Sequence, residues 1–286
     1  NAIVCYTLCE PGDNIVSILP NYQQYYSIPE SLGNEVRIYT CDEKSDYKID
    51  FTELAKLVDS HTKMINLASP NNPTGYALDQ SEMEQLAKLA RSVGAYVVCD
   101  EIYRGLSDDY MPSICDVYEK GICTSSTSKV FSSAGTRVGW IVTRDLSIKD
   151  AMMNMRSYHS ICEGPINELI AAIILENKEV FYKRNTAIVK AAQDVLKEWL
   201  KGQPHFKPAV ESKSSTAFLY YDFDIPAADF AQELYDKKST LVCHGACFEQ
   251  EHCFRIGFGF GDLAYFKAGL DQIGEFVKEL ETEGRI

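Results

Sequence analysis

The chain has 286 residues, 45% hydrophobic and 24% charged, enough for one large or two moderate domains with a real core. Its formal net charge of −13 repels phosphate backbones, which argues against nucleic acid as a general partner. No run of about 18 apolar residues occurs, so no membrane span is expected, and the first residues carry no basic region of the kind that opens a signal peptide.

Elements follow in chain order. A strand is expected over Ile15–Leu19, after the turn Glu10-Pro11-Gly12-Asp13, and another over Met64–Ala68. Asp79 reads as an N-cap, with Glu82 three residues on closing a capping box. The helix behind it puts Met83, Leu86, Ala87, Ala90 and Val93 on one face and stops at Gly94. The strand Ala95–Cys99 delivers Asp100 at its carboxyl end, and Gly121–Thr124 and Val138–Val142 are further strands. Long helices over Ile166–Asn177 and Lys178–Lys201 follow, then strand-like Thr216–Tyr221, a helix Ala227–Lys237, strand-like Cys253–Phe258, and a last helix from about Leu263 to Glu283. This alternation predicts an α/β protein. The expected architecture is a three-layer large domain with a mainly parallel central sheet over 1–165, and an interdomain helix with a smaller α+β domain over 166–286, hinged near 165–190.

The ten cysteines are scattered, mostly in apolar segments, and read as reduced thiols of a cytoplasmic protein rather than a disulfide framework. Cys243, Cys247 and Cys253, with His244 and His252 interleaved, lack the second Cys pair of a typical zinc site, so no metal is expected.

Four short motifs carry chemistry. Ser69-Pro70-Asn71-Asn72-Pro73-Thr74-Gly75 is a good turn sequence in its own right. Asp100-Glu101-Ile102-Tyr103 sits at a strand end, where α/β sheets bind ligands. Ser126-Thr127-Ser128-Lys129, with Arg137 eight residues on, places a lysine among small hydroxylated residues. Phe254-Arg255-Ile256-Gly257 sets an arginine in a strand, a natural fork for a carboxylate. Read singly, each has a plain alternative: a surface lysine, a turn aspartate, a surface ion pair.

Taken in order and at this spacing, the four motifs resemble the fold type I, class I/II aminotransferases of the aspartate aminotransferase superfamily, over nearly the whole chain. The resemblance implies pyridoxal 5′-phosphate, carried by Lys129 as a Schiff base, and transfer of an amino group between an amino acid and a 2-oxo acid. A Schiff-base lysine must shed its proton, which nearby cations such as Arg137 would help. By the same resemblance Asp100 pairs with the pyridine nitrogen, while Tyr103 and Asn72 reach the phenolic oxygen. Arg137, Ser126 and Ser128 hold the phosphate, and Arg255, with Asn72, receives the substrate carboxylate. Tyr22, in Pro20-Asn21-Tyr22, matches the ring that stacks on the cofactor, with ordinary core packing as its alternative reading. A homodimer with sites at its interface is implied too.

Two departures stand out. Asn1-Ala2-Ile3 resembles the middle of the family's Gly-rich phosphate turn, so the N-terminal part of the large domain is expected to lie outside this sequence. His244 stands where many relatives place a proline before the glycine, here Gly245. Relatives that prefer dicarboxylates carry an arginine near the segment that here reads His159-Ser160-Ile161-Cys162-Glu163-Gly164; with none present, an acidic substrate side chain is disfavoured, and Glu163 favours a basic or polar one. The motifs leave open a β-eliminating lyase on the same scaffold (cysteine-S-conjugate type), other amino-acid-modifying chemistry with the same cofactor, and a non-catalytic ligand sensor.

Overall fold

A computed structural model describes residues 1–259 and 261–286. The first part runs α1 (Ala2–Leu8), β1 (Asn14–Leu19), α2 (Gln24–Ser31), β2 (Glu35–Thr40), α3 (Phe51–Ala55), β3 (Thr62–Ala68), α4 (Gln80–Val93) and β4 (Tyr96–Asp100). It continues with α5 (Ile114–Val117), β5 (Gly121–Ser126), β6 (Gly139–Thr143), α6 (Lys149–His159), α7 (Pro165–Glu176) and α8 (Lys178–Leu200). The last part is β7 (Phe206–Pro208), β8 (Thr216–Tyr221), α9 (Ala227–Lys238), β9 (Cys243–His244), β10 (Cys253–Gly257) and α10 (Leu263–Thr282).

The first sheet has the order β2-β1-β3-β4-β5-β6, parallel except for β6, which runs antiparallel to β5. Its central strands are buried on both faces, as a sheet covered by helices on each side requires. Ile15, Met64 and Val98 point to the side of α1 and α6. Val16, Ile65, Leu67, Val97 and Cys99 point to the side of α3, α4 and α5. The expected three-layer, mainly parallel arrangement is therefore present.

The α4 boundary forms as its sequence dictates. Asp79 accepts from the Glu82 amide over 2.9 Å, Glu82 accepts from the Asp79 amide over 3.0 Å, and Gly94 closes the helix at φ 77°. β2 escapes the periodicity because it is an edge strand whose side chains are mostly exposed or half-buried.

The second sheet, β7-β8-β10-β9, is antiparallel. One face buries Phe254, Leu219 and Tyr221 against α8, α9 and α10; Phe218 on the other face joins the core of the first sheet. The turn at Asn71–Gly75 locks the two sheets together. Gly75 has φ 80°, and a Cβ there would fall 2.0 Å from Ser212 Oγ, so only glycine fits. Its carbonyl accepts from the Lys213 amide over 2.8 Å.

Candidate active site

A cavity of about 1580 Å³ opens where the carboxyl ends of β1, β3, β4 and β5 face β8 and β10. Topology puts it there, because parallel strands leave their loops and terminal side chains at one edge of the sheet. Tyr22, Asn72, Asp100 and Tyr103 line it, as do Ser126, Ser128, Lys129, Arg137 and Arg255. All nine residues singled out from the sequence thus meet in one space, though they span 234 positions from 22 to 255.

Asp100 ends β4 and is 8% exposed. Its Oδ1 accepts from the Ile102 amide over 3.0 Å. Its Oδ2 accepts from the Tyr25 hydroxyl and from Asn1 Nδ2, the latter over 3.2 Å. Asn1 is itself held by Thr124, whose Oγ1 donates to Asn1 Oδ1 over 2.8 Å. Glu101 turns the opposite way and accepts from Ser113 Oγ and the Ile114 amide, so the adjacent carboxylates do different work.

Tyr25 and Asn1 were not legible as site residues. Tyr25 lies in α2, three positions beyond Tyr22, and nothing local marks a tyrosine that meets a carboxylate 75 residues downstream. Burial and the neighbouring Asp100 hold its phenol well above the ordinary range, so it stays a donor.

Lys129 follows β5 in a tight turn. Burial lowers the pKa of its ammonium, Arg255 lowers it further, and Asp100 opposes both. The expected help from Arg137 is corrected here: Arg137 Nη1 donates to the Ala134 carbonyl over 2.9 Å and its guanidinium is exposed, whereas Arg255 supplies the cation. Lys129 Nζ sits 5.9 Å from the centre of the Tyr103 ring. Burial raises the Tyr103 phenol, keeping it protonated.

The turn divides its labour between two asparagines. Asn71 makes the turn, accepting from Thr74 Oγ1 over 2.8 Å and donating to the Pro20 carbonyl over 2.9 Å. Asn72 is left to face the cavity, where its Oδ1 accepts from Arg255 Nη1 over 2.8 Å. Tyr22 is 47% exposed at the rim, which removes core packing as an account of it. Ser126 Oγ accepts from the Ser128 amide over 3.1 Å.

Among the described residues no three His, Cys, Asp or Glu side chains gather as a metal site. Cys247 and His244 make only a thiol–imidazole contact, Sγ to Nε2, of 3.5 Å.

Residues 1–273 match the family described as aminotransferase class I and II. The chain belongs to that family. Class I/II aminotransferases depend on pyridoxal phosphate. The donor set fits that group: a lysine amine biased toward its neutral form, a buried carboxylate, phenol and amide donors, and an arginine beside two serines.

Among relatives, nicotianamine aminotransferase 1 of Oryza sativa subsp. japonica is 26% identical over 96% of this chain and 59% of its own length. Aspartate aminotransferase of Sulfurisphaera tokodaii is 26% identical over 95% of this chain and 71% of its own. The chain thus spans roughly three-fifths to seven-tenths of the length of those curated relatives. Among solved structures, a PLP-dependent aminotransferase from Streptococcus suis 89-1591 superposes with a TM-score of 0.93 at 34% identity, covering 97% of this chain and 74% of the other. A mutant of Thermus thermophilus aspartate aminotransferase, at a TM-score of 0.88 and 21% identity over 96% and 76%, shares the fold.

Proposed function

We propose that the protein transfers an amino group between an amino acid and a 2-oxo acid, with pyridoxal phosphate held at Lys129. One observation carries the reading: residues from four strand ends of the first sheet and from β10 of the second converge on a single cavity around Lys129. The curated relatives named above are aminotransferases, which favours transfer over elimination.

When bound, the cofactor supplies an electron sink for the bond broken at the substrate α-carbon. The chain's residues do the rest. Lys129 is the residue that would hold the cofactor, and its amine would move the proton at the substrate α-carbon. Burial and Arg255 favour the neutral amine this needs. Asp100, oriented by Tyr25, Asn1 and the Ile102 amide, would hold the pyridine nitrogen in its protonated form. Tyr103 and Asn72 would donate to the phenolic oxygen. Arg137, with one edge of its guanidinium used by Ala134, would offer the other to the phosphate beside Ser126 and Ser128. Tyr22 at the rim would cover a ring face, and Arg255 would take the substrate carboxylate.

We read residues 1–165 as the cofactor-binding domain, and 166–286 as an interdomain helix with a smaller domain. The working unit is a homodimer. Ile166, Leu169, Ile170 and Ile173 lie on one face of α7 and are exposed, and exposed apolar faces of this kind mark interaction surfaces. A second copy is the occupant this family fold supports, and sedimentation should give twice the chain mass. Leu169→Lys should shift it toward monomer. Ten free cysteines fit a reducing, cytoplasmic setting, and the acidic balance fits small substrates rather than nucleic acid. No helix among the described residues is long and apolar enough to cross a membrane.

The test is a panel of amino donors added to the pyridoxal-phosphate-loaded protein, read by the shift in cofactor absorbance and by amino acid formed from a 2-oxo acid. Release of ammonia and a 2-oxo acid without transfer would replace this reading with a lyase. Since Glu163 lies on the cavity and no arginine occurs from 159 to 164, basic or polar donors are expected to lead the panel.

A further inference from the structure

Arg255 has two neighbours. Asn72 holds one edge of its guanidinium over 2.8 Å, and the guanidinium carbon lies over the ring of Phe248, with Cζ 5.3 Å from the ring centre. Phe248 ends the short 3-10 turn Gly245–Phe248, in the loop between β9 and β10, and is 5% exposed. That turn is pressed onto β10. A Cβ on Gly245 would lie 2.3 Å from Cys253 Sγ and 2.6 Å from the Gln250 carbonyl oxygen, so glycine is the residue that lets it approach. From the other side Phe218, the cross-strand partner of Arg255 on β8, meets the Phe248 ring edge-on at 5.7 Å and 82°. The ring is therefore wedged between a tight turn and the sheet, with one face left to a cation.

We propose that Phe248 is a positioning residue for substrate carboxylate recognition: its fixed ring holds the Arg255 guanidinium flat and aimed into the cavity. The proposal rests on the aminotransferase reading for its substrate, and on the aromatic seat alone for its effect on Arg255. An arginine with a carbonyl oxygen on one edge and an aromatic face beneath keeps the opposite edge free for a two-point bond to a carboxylate. Losing the seat lets the side chain sample other rotamers in the free protein, which weakens binding of any α-carboxylate; a bound carboxylate returns Arg255 to its place near Lys129, so the loss falls on KM.

The experiment compares wild type, Phe248→Leu and Phe248→Tyr, each as the cofactor-loaded protein. With the best donor of the panel, Phe248→Leu should raise KM about 3- to 30-fold, the range expected for loss of a cation–π contact, with kcat within about threefold. Phe248→Tyr, which keeps the ring, should stay near wild type. The amine that lacks the donor's carboxylate should react equally slowly with all three. Independently of turnover, phenylglyoxal labelling of Arg255, mapped by mass spectrometry, should be several-fold faster in Phe248→Leu. Phe248→Met takes its place if the leucine variant fails to fold. An unchanged KM together with unchanged Arg255 labelling overturns the proposal. So does an equal loss on the amine without a carboxylate. Wild type inert on every donor, with Arg255 labelling still accelerated by Phe248→Leu, defeats the aminotransferase reading and leaves the seat standing.

Discussion

Arg255 and Asn72 join the two sheets at the cavity: Nη1 of the arginine on β10 donates to Oδ1 of the asparagine that follows β3, over 2.8 Å. The guanidinium thus already rests on its partner across the two sheets. Gly75 makes this possible by letting the Asn71–Gly75 turn dock on Ser212. Asn72→Ala should lower kcat/KM by about 10- to 150-fold, the cost of a hydrogen bond to a charged group, measured by steady-state transamination. In a cycle with Arg255→Lys the two losses should be sub-additive, because each variant breaks the same contact.

Tyr25→Phe removes a buried donor to a carboxylate and changes almost nothing in shape. The folded protein should lose about 1.5–3 kcal/mol in urea denaturation, and cofactor should be retained less tightly, since Asp100 would keep only Asn1 and the Ile102 amide. Wild-type stability together with wild-type cofactor affinity would show that Tyr25 is a bystander.

The candidate site residues were legible because chemistry concentrates such residue types in short motifs. Lys129, Asp100 and Arg255 were each placed on or just after a strand, and the sheet brings them together. Helix α4 was legible at both ends through Asp79, Glu82 and Gly94. What escaped has one physical character: it depends on contacts distant in the chain. The mutual bond of Tyr25 and Asp100, the packing of Phe218 on Phe248, and the replacement of Arg137 by Arg255 as the cation near Lys129 all join side chains far apart in sequence. β2 escaped for the opposite reason, since an edge strand need not alternate strongly.

His205 bridges α10 to the end of β8, with Nδ1 2.7 Å from Asp222 and Nε2 3.1 Å from Glu281. The Asp222 bond is the main cause that raises its pKa in the folded protein, with Glu281 adding to it. A histidine whose folded pKa is raised adds stability that is fully present below its unfolded value of about 6.5, and that fades as pH climbs through the folded one. His205→Asn should therefore lower Tm by about 2–4 °C near pH 6, an effect of roughly 1 kcal/mol at most, and by less near pH 9. A Tm difference that grows with pH would contradict this.

Lys129 as cofactor carrier is the centre of the account, and covalent trapping tests it most directly. The protein is loaded with pyridoxal phosphate, reduced with borohydride, digested and mapped by mass spectrometry. The phosphopyridoxyl mass should sit on the peptide containing Lys129 and vanish in Lys129→Ala, which should also lose turnover by several orders of magnitude. A label fixed on another lysine, with Lys129 unmodified, would contradict the account.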